Sequence, residues 1–306
     1  MKLLLSLLCF IFAQSVVALE SDLELNHQLI TPVDSESALV IDQNTDLPDS
    51  LFGITLFSLG GFTDSQFKGP QPALDFFDNY ISFNYKVNRN FRISARPAFG
   101  YTTSGFNYRK EEVTNLIRSR DFSLVAKFTN LFEDLFVASF QLAHQFRLYL
   151  PTSDFSKENG MIARLRYEIE GRYSLSKFSS FRVYTKPSYF FQRSTAYFDN
   201  SNPQYPNSVK TTPKIDLEQG AEITFNINRK LAVKPGFEFQ EKWSNASAAE
   251  NKDEYHATTV RTGVGLEIRA SREINFTIGI DSTRDLIAVN KSPETGYTLM
   301  TNMALY

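Results

Sequence analysis

Apolar and polar residues alternate one for one in twelve separate segments of this chain, at roughly 51–60, 79–87, 91–101, 121–131, 135–148, 161–174, 179–193, 214–227, 231–243, 257–269, 273–283 and 296–306. The segment 161–174 shows the pattern most plainly. Met161, Ala163, Leu165, Tyr167, Ile169 and Tyr173 share one parity, and Arg164, Arg166, Glu168, Glu170 and Arg172 share the other. A helix would mix the two sets, whereas a strand places them on opposite faces because its side chains alternate with period two. The segment 231–243 repeats the pattern, with Leu231, Val233, Phe237 and Phe239 against Lys234, Glu238, Gln240 and Lys242. The first, fourth and twelfth segments are less regular.

The connections alternate as well. Short ones fall at Asn88-Arg89-Asn90, around Asn130 to Asp134, from Ser174 to Phe178, and at Asn228-Arg229-Lys230 and Ala270-Ser271-Arg272. Their polar, Asn- and Ser-bearing composition suits hairpin turns. The gaps 61–78, 102–120, 149–160, 194–213, 244–256 and 284–295 are longer and carry Pro, Gly, Asn, Ser and charges. Five short and six long connections fit twelve antiparallel strands with both chain ends on the short-turn side, and closure of such a sheet requires an even count. A soluble two-sheet sandwich packs one apolar face of each sheet into a shared core. Here one face of nearly every strand is apolar and the other carries charges of both signs. The predicted fold is therefore all-β, a closed antiparallel transmembrane β-barrel of 12 strands over residues 51–306.

Composition refines this picture. The chain has 28 Phe, 14 Tyr and a single Trp in 306 residues. Residues 1–18 read as a secretory signal peptide, with Lys2 at the start, an apolar run from Leu3 to Phe12 too short to span a bilayer, and small residues Val16, Val17 and Ala18 at a cleavage site before Leu19. The lone cysteine, Cys9, lies in that run, so a processed chain has no disulfide, no thiol nucleophile and no cysteine ligand for a structural metal. Residues 19–50 carry the acids Glu20, Asp22, Glu24, Asp34, Glu36, Asp42, Asp46 and Asp49 with no Lys or Arg. Setting aside this segment and Lys2 leaves 31 basic against 26 acidic residues, a net of +5. The acidic stretch is a solvated periplasmic lead-in or a plug for a basic lumen, and Ala38-Leu39-Val40-Ile41 is a short apolar patch able to dock.

In this architecture the chain resembles bacterial outer-membrane β-barrel proteins of the small, about twelve-stranded porin type. The resemblance covers residues 51–306 and includes a C-terminal strand, Gly296 to Tyr306, that ends in an aromatic residue. It implies a bacterial outer-membrane location, lipids as surroundings, and recognition of Tyr306 by the barrel-assembly machinery. Leu299, Met303 and Leu305 have the opposite parity from Tyr306, a departure from the usual signal. Porins of this class include transporters for acidic oligosaccharides.

With the apolar face toward lipid, the other face lines the interior. Its basic residues are Lys86, Arg92, Arg96, Lys127, Arg147, Arg164, Arg166, Arg172, Arg182, Lys186, Lys214, Lys234, Lys242, Arg261 and Arg269. Its acids are Glu168, Glu170, Asp216, Glu218, Glu222, Glu238, Glu267, Glu273 and Asp281. The third to seventh strands are mostly basic and the eighth acidic, so walls of opposite sign would set a transverse field, and the basic excess favours anions. The function that follows is passive diffusion of small hydrophilic, preferentially anionic solutes. The alternative is a barrel filled by paired charges, non-conducting, whose loops bind a surface partner. Amphipathic rings near strand ends form two interfacial girdles: Phe91, Phe132, Phe136, Phe178, Phe181 and Phe225 toward the short turns, and Tyr101, Tyr189, Phe191 and Trp243 toward the loops.

An outer-membrane hydrolase is the less favoured reading. Outer-membrane phospholipases have a Ser two residues after their catalytic His, and here Phe146 follows His144 at that spacing. His27 lies in the lead-in, and His256 stands beside Asp253, Glu254 and Tyr255 at a loop end. Gly-x-Ser-x-Gly, His-Glu-x-x-His and phosphate-loop motifs are absent. No cofactor or metal is expected, and no nucleic-acid partner, since the basic residues point inward at strand spacing.

Overall fold

The computed structural model describes residues 51–63, 73–106, 112–129, 140–199, 208–245, 256–286 and 293–305. The signal peptide, the acidic segment 19–50 with His27, the short connection around Asn130 to Asp134 with Phe132, the start of the fifth segment with Phe136, residues 253–255 and Tyr306 lie outside the described residues.

Twelve antiparallel strands close into one barrel. They are β1 (Phe52–Thr63), β2 (Asp75–Asn88), β3 (Phe91–Arg96, resuming after Pro97 as Ala98–Thr102), and β4 (Leu116–Ser119, resuming after Asp121 as Phe122–Thr129). There follow β5 (Phe140–Leu150), β6 (Met161–Ser176), β7 (Ser179–Gln192), β8 (Pro213–Asn226) and β9 (Leu231–Ser244). The last three are β10 (His256–Arg269), β11 (Ile274–Asp285) and β12 (Glu294–Leu305). Each strand pairs with its sequence neighbours, and β1 closes the circuit by pairing with both β2 and β12. Closure leaves no open edge, the condition for a sheet to cross a bilayer without unsatisfied backbone groups.

The short turns are built by the residue types that mark them in the sequence. Asn88 accepts the Asn90 amide through Oδ1 at 2.9 Å, and Asn228 accepts that of Lys230 at 2.8 Å. Ser176 Oγ accepts the Phe178 amide at 3.1 Å, and Ser271 Oγ accepts those of Glu273 and Ile274, each at 3.2 Å. Side-chain oxygens bonding the amide two residues on reverse the chain without further loop length.

Several boundaries differ from the sequence-based reading. β1 and β2 extend into the gap expected at 61–78, and β4 begins at Leu116 rather than near 121. The gap 149–160 contains a short helix, α1 (Asp154–Glu158), capped by Ser153. Asp121, at the interruption of β4, anchors this loop: its carboxylate accepts Ser153 N at 3.0 Å, Ser153 Oγ at 2.7 Å and Ser156 Oγ at 2.5 Å. Gly160 ends the helix with φ +73°, a left-handed conformation that glycine adopts without penalty. Two-stranded hairpins, Gly105–Phe106 with Glu112–Val113 and Ala196–Asp199 with Ser208–Thr211, extend two other long connections.

Outward-facing side chains form an apolar belt that includes Phe146, Leu165, Phe237, Val264, Ile278 and Ile280, all exposed. Met161 is a correction. The sequence pattern puts it in the belt, yet it is buried and Ile162 is exposed. A bulge between Met161 and Ala163 shifts the register against β7, and one extra residue exchanges the two faces.

Candidate functional site

The interior has two contrasting walls. The first is charged and runs from β5 to β10. In β6, Arg164, Arg166, Glu168, Glu170 and Arg172 face inward, and their partners come from both neighbouring strands and from one strand beyond. Arg166 donates to Glu218 at 2.6 Å, crossing over β7 to reach β8. Lys186 of β7, fully buried, lies beneath that bond, 3.5 Å from Glu218 and 3.9 Å from Glu168. Arg147 of β5 approaches Glu168 at 3.9 Å, and Gln145 Nε2 donates to the same carboxylate at 2.6 Å. Arg164 pairs with Asp216 at 3.6 Å and donates to Ser188 at 3.0 Å. Glu170 sits between Arg182 at 3.2 Å and Arg172 at 3.4 Å. Toward the short turns, Glu267 takes Lys234 at 2.5 Å and Arg269 at 2.6 Å, with Glu222 4.0 Å from Lys234. Arg261 lies 3.7 Å from both Glu238 and Asp281.

This arrangement corrects the expectation of opposed walls of opposite sign. Strand order around the barrel follows the sequence, so acidic β8 stands beside β7 and within reach of β6 rather than across the lumen. Its carboxylates neutralise their neighbours instead of setting a field against them. Lys86 and Glu273 stand apart from the network: Lys86 is exposed near the β2–β3 turn, and Glu273 bonds Ser271 in the β10–β11 turn.

A basic patch occupies β3 and β4. Arg92 is the direct cross-strand partner of Lys127, and Arg96 lies on the same face four pairs along. Among the described residues neither Arg92 nor Lys127 forms an ion pair. Arg96 donates Nε to Ser82 at 3.1 Å, and its guanidinium lies 5.0 Å over the Tyr80 ring.

The second wall is apolar and was not apparent in the sequence. Phe57 and Leu59 of β1, Tyr80 of β2 and Met300 of β12 are buried inside the barrel, with Phe77 and Ala98 packed against them. Phe57 stacks on Tyr80 at 4.8 Å between ring centroids. β1 and β12 are irregular in the alternation because they are apolar on both faces over part of their length; Ile54 and Leu299 face lipid on those two strands. The only available signal was parity, which places Phe57 and Leu59 opposite Ile54.

Two further interior features escaped the sequence reading. Tyr184 sits between Arg182 and Lys186, whose charges lie 4.6 and 4.5 Å from its ring, and donates its hydroxyl to Glu238 at 2.9 Å. Its ring lies over Gly220, where a Cβ would collide with the hydroxyl. Glycines also form inward cross-strand pairs without side chains, Gly236 with Gly263 and Gly265 with Gly279. They open a cavity of about 130 Å³ between the two walls.

His144 stands on the outer side of β5, with Nδ1 2.6 Å from the Tyr167 hydroxyl. His256 stacks on Trp243 at 5.0 Å, near the loop end. Of the girdle aromatics, Phe178 and Phe225 are exposed near the short turns, and Tyr189 and Phe191 toward the loops.

A closed antiparallel barrel with an apolar outer belt and a charged interior defines an integral β-barrel protein of the bacterial outer membrane. Solved structures share this architecture. The COG4313 outer membrane channel from Pseudomonas putida F1 aligns over 85% of this chain and 97% of its own, with TM-score 0.51 and 13% identity. The NanC porin aligns over 82% and 100%, with TM-score 0.47 and 12% identity. The KdgM porin aligns over 82% and 99%, with TM-score 0.45 and 9% identity. At these identities the likeness concerns the fold. No protein-family model and no curated protein matches the sequence.

Proposed function

We propose that this barrel is a narrow channel for passive diffusion of small hydrophilic solutes across the outer membrane, with a preference for anions. The observation that carries the preference is the pairing of Arg92 with Lys127, flanked by Arg96. Like charges directly opposite one another on a sheet repel. On the wall of a water-filled passage the same arrangement attracts anions and is relieved by them. The charges of β6 to β10 are largely paired with one another, which leaves a small basic excess along the path. Catalysis has no part in this reading: His144 bonds Tyr167 on the lipid side, and Phe146 stands where a hydrolase of this architecture would carry Ser.

One observation favours a second reading. Lys186 is fully buried, and Arg166 and Glu218 are nearly so, which is how a barrel filled by its own ion pairs looks. That reading makes the barrel a non-conducting support for its loops. Planar-bilayer recording of the refolded protein under a salt gradient separates the two. A channel gives stable steps with an anion-selective reversal potential, and Arg92→Glu with Lys127→Glu moves that potential toward cation selectivity. Silence supports the filled barrel; steps whose selectivity ignores both substitutions overturn the assignment of the β3–β4 patch.

A further inference from the structure

The interior cavity is amphipathic, which the interior of a polar pore does not require. On one side it is bounded by Leu59 and Met300, buried members of the apolar wall. On the other it is bounded by Arg182, Lys234, Arg261 and Thr277 from the charged wall, and by the carboxylates Glu222, Glu238 and Asp281, which the lysine and arginines balance. Gly265 and its cross-strand partner Gly279 form part of its floor.

Two properties of this space point to a ligand. Its volume of about 130 Å³ is close to that of a dry engineered cavity of about 150 Å³ that admits benzene. Its polar side carries hydrogen-bonding capacity that the protein leaves unused. Arg182 is buried; its Nε faces Glu170 at 3.2 Å, which balances the charge, and its Nη2 has no hydrogen-bond partner. The Thr277 hydroxyl is likewise buried without a partner. Buried donors without acceptors are costly, and a guanidinium edge is shaped to receive a carboxylate. Simple water filling would account for the donors, but it leaves Leu59 and Met300 facing water inside the lumen.

We infer that this cavity is a binding site for small carboxylates with an apolar body about one six-membered ring in size. The body rests on Leu59 and Met300, and the carboxylate accepts from Arg182 and Thr277. The solute class deepens the channel reading and rests on it for its transport meaning. Binding itself is measurable without conduction, so the two can fail separately.

The test is calorimetric titration of the refolded full chain in detergent with sodium benzoate, and with sodium acetate, which keeps the head and lacks the body. Benzoate is expected to bind saturably and at least about tenfold more tightly than acetate, the difference that burial of about 50 Å² of apolar surface provides. Leu59→Ser with Met300→Ser is expected to remove that advantage. Gly265→Val fills the cavity from the opposite strand and is expected to abolish saturable binding; a Cβ there lies 3.1 Å from Thr277 Cγ2, so the strand accommodates it with a small shift. This variant also carries the test if the apolar-wall double variant does not fold. Absence of saturable benzoate binding, equal binding of benzoate and acetate, or benzoate binding unchanged in the Gly265→Val protein overturns the inference. An absence of conductance alongside saturable benzoate binding would refute the channel and leave the site standing.

Discussion

At the scale of single residues, the interior is held by charges that depend on one another. Arg166, Lys186 and Glu218 are buried together, and removal of one partner leaves the others in a poorly solvating environment. Arg166→Met is therefore expected to destabilise the barrel by about 3–5 kcal/mol, and Arg166→Met with Glu218→Met to recover much of that loss, because the desolvation penalty leaves with the pair. Urea unfolding in lipid vesicles measures both. Gly220 makes a different kind of contact. An added Cβ would meet the Tyr184 hydroxyl and lie 2.8 Å from the Phe237 carbonyl oxygen. Gly220→Ala is expected to cost about 1–3 kcal/mol through overpacking, in the same unfolding assay. Arg166 and Glu218 are legible in the sequence as inward residues. Their bond is not, since it joins strands that are not neighbours.

At the scale of elements, parity decides what a substitution does. Leu165 and Arg166 are adjacent in β6, yet one faces lipid and the other the interior. Leu165→Arg is expected to cost about 2–4 kcal/mol, as for a charge placed on the lipid face near the midplane, and vesicle unfolding of that variant checks it. The rule fails at the start of the same strand, where the bulge exchanges Met161 and Ile162. Nothing in the local composition marks that bulge, because it is set by register against β7. The β5–β6 loop shows a second tertiary effect. Asp121 holds three donors of Ser153 and Ser156 from 32 and 35 residues away. Asp121→Ala is expected to release this loop to protease while the barrel stays folded. Limited proteolysis followed by heat-modifiable gel migration separates those two outcomes.

At the scale of the whole molecule, the barrel brings β1, β2 and β12 together, joining chain positions more than 200 residues apart into one apolar wall. Opposite lies the charged wall, and beside it the basic patch of β3 and β4. A chain whose charges are numerous and mixed thus yields an interior zoned by character. Because closure removes every sheet edge, the folded barrel is expected to resist dodecyl sulfate at room temperature and to change gel mobility only after heating. A protein that migrates identically with and without heat would not be a closed barrel of this kind.

What the sequence determined by itself was the architecture: strand number, antiparallel order, and the lipid or interior face of most residues. These follow from the period-two geometry of a strand and from turn residues that act on their own neighbours. The tertiary structure decided how the interior is arranged. Charge pairing across β7, the apolar wall and the glycine-floored cavity depend on which strands meet and in what register, and both are consequences of closure rather than of any local stretch of chain.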